Sequence, residues 1–285
     1  MIRKNVAIWS RRTRHFTAVA LSLALTAGIA GTAFAGGADK YTQYVADYTG
    51  KNLASFGYSS LGGDRRDYLG DASLLFEFVT PDGRYVSPMD EEAMKQYRVT
   101  SQSVAPDTEV KLEFQKDENG NEYSSLIAWQ AVDEIDLALA EVGSDEEAAD
   151  LPKINVSPDK YTWYIRSYVG KNAANIGYVS WGGDRRDAYG AGNVQLVFNA
   201  DDGSYLDATD NKQMCQYVVT AQDVKPNTEL KLVYSTDENG KEYDNLIESQ
   251  SVSTIYLTVQ KLEGDALDAS IQAEAVDEEE ESETE

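Results

Sequence analysis

The chain repeats itself. Asp39-Lys40-Tyr41-Thr42 returns 120 positions later as Asp159-Lys160-Tyr161-Thr162, and the register then holds without a gap. Gly50-Lys51-Asn52 matches Gly170-Lys171-Asn172, and Asp117-Glu118-Asn119-Gly120 matches Asp237-Glu238-Asn239-Gly240. The longest motif, Gly62-Gly63-Asp64-Arg65-Arg66-Asp67, recurs as Gly182-Gly183-Asp184-Arg185-Arg186-Asp187. An ungapped match of this length means one fold built twice, not a short-period solenoid. The expected repeats are residues 39–141 and 159–262.

The flanking segments read differently. Residues 1–15 carry Arg3, Lys4, Arg11, Arg12 and Arg14 and no acid, and an apolar run from Phe16 ends in Ala33-Phe34-Ala35. That order describes a secretory signal peptide, residues 1–35, cleaved after Ala35, which implies a secreted, extracytoplasmic protein without stable membrane insertion. Between the repeats, 142–158 holds Asp145, Glu146, Glu147, Asp150, Pro152 and Pro158 and reads as an extended, solvated, acidic linker. The tail, 263–285, ends in a glutamate-rich run that cannot bury a core and is expected to be disordered.

Charge and composition remove several kinds of chemistry. The net charge is −24, and losing the five basic residues of the leader takes it to −29. Such a surface repels phosphate backbones, so nucleic acid is not an expected partner. The lone histidine, His15, leaves with the leader, and Cys215 is the lone cysteine. Histidine triads, Cys–His pairs, intramolecular disulfides and zinc sites built from nitrogen and sulfur are therefore not expected, nor is a cofactor. Cys215 aligns with Lys95, which makes a purely buried position for it unexpected.

Within each repeat the strand signal dominates. Val110, Leu112 and Phe114 alternate with Glu109, Lys111 and Glu113, and Leu230, Leu232 and Tyr234 keep the phase. Leu74, Phe76 and Phe78 alternate likewise, as do Ile135, Leu137 and Leu139, with Val194, Leu196, Phe198 and Ile255, Leu257, Val259 as echoes. Period two predicts one face on a core and one in water. Asp82-Gly83 and Asn119-Gly120 signal turns. Lys51–Phe56 can make a turn or two, and Asp90 can cap a short helix through Gln96. The expected fold class is α+β: two tandem copies of a small, mostly antiparallel sheet domain with one or two short helices each.

Two segments carry a family resemblance. Val45-Ala46-Asp47-Tyr48-Thr49-Gly50-Lys51-Asn52-Leu53 resembles the opening of a PASTA domain, and Val99 to Leu112 resembles its closing strand pair. The second copy keeps Gly170-Lys171-Asn172, Val219-Thr220-Ala221-Gln222 and Pro226-Asn227-Thr228. The resemblance implies a non-catalytic extracytoplasmic bacterial module that binds peptidoglycan fragments or envelope proteins.

The candidate site follows from the duplicated arginine motif. Two glycines permit positive φ, Asp64 and Asp184 can accept N–H bonds in the turn, and Arg65, Arg66, Arg185 and Arg186 offer planar forks for a carboxylate or phosphate. Tyr58 and Tyr178 can stack on a sugar or peptide, and Asp67 and Asp187 complete the set. A loop with both signs within six residues can equally satisfy itself. Asp64, Asp67 and Asp71 form a spaced acidic set, but Asp71 becomes Ala191, and Asp117–Glu122 reads better as a hairpin turn than as a calcium loop. Trp181 can be a stacking platform, with Leu61 as its counterpart. These readings predict a non-catalytic tandem binding module of the bacterial cell envelope that recognises peptidoglycan fragments, glycans or proteins. Alternatives are a structural or adhesive spacer and a carboxylate-dependent glycan hydrolase.

Overall fold

A computed structural model describes residues 39–60, 64–81, 83, 86–88, 90–144, 151–264 and 267. The expected leader, most of the tail and the acidic centre of the linker lie outside them. In the first repeat the strands are β1 (Thr42–Tyr44), β2 (Tyr58–Ser59), β3 (Arg65–Leu69), β4 (Ala72–Val79), β5 (Tyr97–Gln102), β6 (Glu109–Lys116), β7 (Glu122–Gln130) and β8 (Glu134–Glu141). The second repeat gives β9 (Thr162–Tyr164), β10 (Tyr178–Val179), β11 (Arg185–Tyr189), β12 (Gly192–Ala200), β13 (Tyr217–Gln222), β14 (Glu229–Thr236), β15 (Glu242–Gln250) and β16 (Thr254–Lys261). Each repeat builds a three-stranded sheet, β1-β6-β7 or β9-β14-β15, and a five-stranded sheet, β2-β3-β4-β8-β5 or β10-β11-β12-β16-β13.

The expectation of two tandem α+β domains is overturned. The chain is mostly β, 49% strand and 8% helix, with four small sheets in a four-blade β-propeller arrangement. Within the repeats, among the described residues, the α-helices are single turns, α1 (Glu91–Lys95) and α2 (Asn211–Met214). Asp90 caps α1 through a bond from the Ala93 N–H, as its position predicted, but β5 begins at Tyr97 and stops the helix there. The expected turn after Lys51 is one 3-10 turn, Leu53–Ser55, capped by Asn52.

Each five-stranded sheet has one parallel pair at its centre, Phe76 against Ile135 in β4 and β8, and Leu196 against Ile255 in β12 and β16. Leu74, Phe76, Phe78, Ile135, Leu137 and Leu139 turn inward and meet Val110, Leu112 and Phe114 of the three-stranded sheet. The second core repeats this with Val194, Leu196, Phe198, Ile255, Leu257 and Val259, but also takes Trp129 and Ala131 from the first repeat.

The end of the linker is partly packed, with Ser157 buried and Ile154 and Val156 half-buried, while Pro152, Lys153, Asn155 and Pro158 stay exposed. Val156 packs against both cores. The Ile154 N–H donates to Ser103 O at 3.1 Å and the Ser157 N–H to Ala131 O at 3.3 Å. Asn227, held at φ 62°, receives the Asn155 N–H on Oδ1 and donates Nδ2 to Lys153 O, both at 2.7 Å. A linker strapped to both repeats fixes their relation.

One truncation tests the duplicated core. Leu257 is fully buried on the parallel strand of the second repeat. Leu257→Ala should cost about 3 kcal/mol, measured by urea unfolding; a loss under about 1 kcal/mol would contradict this core assignment.

Candidate functional site

The two arginines of each motif go to opposite faces because β3 and β11 alternate. Arg185 is fully buried. It donates Nε to Ala208 O at 3.0 Å, Nη1 to Ala174 O at 2.8 Å and Ile176 O at 3.1 Å, and Nη2 to Asn211 Oδ1 at 2.6 Å. It ties the second repeat's 3-10 turn, Ala173–Asn175, and α2 to the sheet. Arg65 is buried at the matching place, with Nη1 on Phe56 O at 3.2 Å. Arg66 and Arg186 face outward and fold back, their Nη2 atoms 2.9 Å and 2.7 Å from Asp64 and Asp184. Ser60 and Ser180 also bond those aspartates. Burial pushes the Asp184 carboxyl up, but Arg186 and Ser180 outweigh it and leave it below the usual carboxylate range.

The remaining motif residues also have intramolecular partners. Tyr58 stacks on Tyr68 with centroids 4.2 Å apart, and Tyr178 bonds Asn193. Asp67 accepts from the Tyr48 hydroxyl at 3.0 Å, and burial raises its pKa. Asp187 accepts from Tyr168 at 2.8 Å. Asp117 spends its carboxylate on the N–H groups of Asn119 and Asn121, 2.8 Å each. Trp181 stands 90% exposed on the loop before β11.

The sequence reading missed the joint between repeats. Arg166 donates Nη1 to both oxygens of Asp187 at 3.1 Å and Nη2 to Asp133 of the first repeat at 3.3 Å, with Glu134 at 3.7 Å. Its guanidinium lies 4.9 Å from the Tyr189 ring centre. Burial opposes this charge, yet Asp187 and Asp133 outweigh it and hold the pKa above the ordinary guanidinium value. Lys171 reaches Asp136 at 2.8 Å, both groups buried. Gly83 comes so close to the same loop that a Cβ there would sit 2.6 Å from Gly170 O. Asp133, Arg166, Tyr189 and Asn155 help line a cavity of about 40 Å³ at this joint, room for water rather than an organic ligand.

The joint explains Cys215. Asn172, next to Lys171, donates Nδ2 to Cys215 O at 2.7 Å, and that corner is buried, whereas the matching Lys95 corner is exposed. The aligned repeats held a signal for all of this. Arg166 replaces Ala46, and Asp133, Glu134 and Asp136 stand where the second repeat has Ser253, Thr254 and Tyr256.

The joint also makes the two large sheets unequal. Leu75, Glu77, Val79, Asp136, Ala138 and Ala140, on the outer face of the first five-stranded sheet, are all buried. The expected water-facing side of β4 and β8 is therefore covered. The counterparts Gln195, Val197, Asn199, Tyr256, Thr258 and Gln260 are half-buried or exposed, with Tyr256 at 46%. Register puts Val197 beside Tyr256 and Asn199 beside Thr258. Tyr178 pairs with Arg186, and Arg186 with Gln195, so two of the residues picked from sequence border this same face.

The fold and site define a two-repeat β protein, locked at an ionic joint, with one large sheet face covered and its twin open. No family model matches the chain, and no curated protein or solved structure matches it.

Two substitution pairs test these assignments. Arg185→Ala should cost about 3 kcal/mol because it strands three carbonyls, while Arg186→Ala should cost about 0.5 kcal/mol, read by chemical denaturation. Lys171→Ala should cost about 3–5 kcal/mol by leaving Asp136 buried and unpaired, and Lys171→Met with Asp136→Leu should recover most of it. Equal losses from both joint variants would show that this ion pair is not what locks the repeats.

Proposed function

We propose that the chain is a non-catalytic, extracytoplasmic binding protein of the bacterial cell envelope, and that it binds through the outer face of its second five-stranded sheet. One observation carries this reading: the same face in the first repeat is covered by protein, and in the second it is open. A duplicated surface that is an interface in one copy is already shaped to receive a partner in the other.

Other observations support it. The duplicated arginine loops use their charges internally, so the reading does not place the ligand there. The basic, apolar and small-residue order of residues 1–35 supports export, and the PASTA-like segments favour peptidoglycan fragments, glycans or envelope proteins as targets. The acid excess disfavours nucleic acid. A spacer role is the second reading, favoured by the ion-paired joint that holds the two repeats as one body.

Co-sedimentation of the purified chain with washed envelope fragments tests the proposal. The wild type should pellet, Tyr256→Glu should weaken binding by at least about tenfold, and Arg66→Ala, on the first repeat, should pellet normally. Failure of the wild type to pellet, or wild-type binding by Tyr256→Glu, would overturn it.

A further inference from the structure

The six side chains that β12 and β16 turn outward on the open face carry no charge, and that is unusual for this chain. Gln195, Val197, Asn199, Tyr256, Thr258 and Gln260 are all uncharged, in a chain of net charge −24. Their counterparts in the covered face include Glu77 and Asp136. The neighbouring three-stranded sheet carries ion pairs instead: Glu229 and Lys231 on β14 lie 2.9 Å apart, and Lys160 sits between Glu242 and Asp244. At the border of the face, Arg186 is neutralised by Asp184. The patch is thus a neutral window in an anionic surface.

From this we infer that the face takes an uncharged polysaccharide strand. The inference rests on the binding role proposed above and adds the ligand class. Amide side chains both donate and accept, and a threonine hydroxyl does the same, which matches the hydroxyl groups of a sugar. Tyr256 offers an aromatic face for the apolar side of a pyranose ring. From Thr254 to Gln260 the strand runs about 20 Å, long enough for several rings in a row. The six outward side chains carry no fixed charge to be stripped of water, so a neutral ligand avoids the penalty an ionic one would meet, and the Asp223 carboxylate at the edge of the face is already held by the Tyr256 and Val224 N–H groups. Anionic polymers are further disfavoured by the surrounding carboxylates.

A second copy of the chain is the competing occupant, because the second repeat covers this face in the first. The charges that make that joint are missing at the free ends. A visiting first repeat would bring Ala46 where Arg166 stands, and its Lys51 would meet Tyr256 instead of Asp136. Neither ion pair of the joint can form.

Affinity electrophoresis of the full chain in native gels tests the ligand class. The gels contain neutral β-glucan, xylan or mannan, or, for comparison, anionic polygalacturonate. Retardation is expected in at least one neutral gel and not in polygalacturonate. Measured as binding to the same polymer in solution, it should persist at about 0.5 M salt, where exposed charge attraction is screened. Tyr256→Ala and Gln195→Ala should each weaken it by about tenfold while leaving the unfolding midpoint within a few degrees. Retardation by polygalacturonate alone, binding lost in salt, or no retardation in any neutral gel would overturn the inference. So would a chain that sediments as a dimer abolished by Tyr256→Ala. If envelope fragments still bind in a Tyr256-dependent way while the neutral gels do not retard, the ligand class fails and the binding role stands. If neither binds, both fail.

Discussion

Two buried cations hold the architecture together. Arg166 and Lys171 leave water only because Asp187, Asp133 and Asp136 wait for them, and those partners come from both repeats. Desolvating such groups is costly, so the arrangement is stable only in one relative placement of the two repeats. Much else follows from that placement. The first large sheet is covered on both faces, Arg166, Ser167, Lys171 and Asn172 are buried where Ala46, Asp47, Lys51 and Asn52 are half-buried or exposed, and the linker end is drawn in beside Val156.

The same duplication yields an unequal pair. A joint between identical units is head-to-tail and leaves one unsatisfied surface at each end, which invites open-ended growth. Solenoids meet that problem by making terminal units polar on the outside. Here Ala46 stands at one end in place of an arginine, and Ser253, Thr254 and Tyr256 stand at the other in place of three acids. The outer sheet face changes accordingly, from leucine, valine and alanine to glutamine, asparagine and threonine.

The inward faces of the strands were legible in the sequence because period two survives duplication: Leu74, Phe76 and Phe78 are buried as read, and so are their echoes. What stayed hidden is where distance in sequence matters. Alternation at Glu77 and Asp136 looks like a solvent face, yet both are buried, Asp136 against Lys171 of the second repeat. The parallel pairing of β4 with β8 has no local signature, since its partners lie across three intervening strands. The arginine motif was the most visible feature and the easiest to misplace. Adjacent arginines on one strand must part, so Arg185 becomes a buried strut and Arg186 a surface ion pair. The more informative signal was the set of aligned positions where charge appears in only one repeat.

The parallel pair at the heart of each large sheet has a kinetic consequence. A chain emerging N-terminus first presents β4 long before β8 exists, and the central seam cannot zip until the final strand of the repeat arrives. The central seam of each large sheet therefore closes only when nearly all of its repeat has been synthesised.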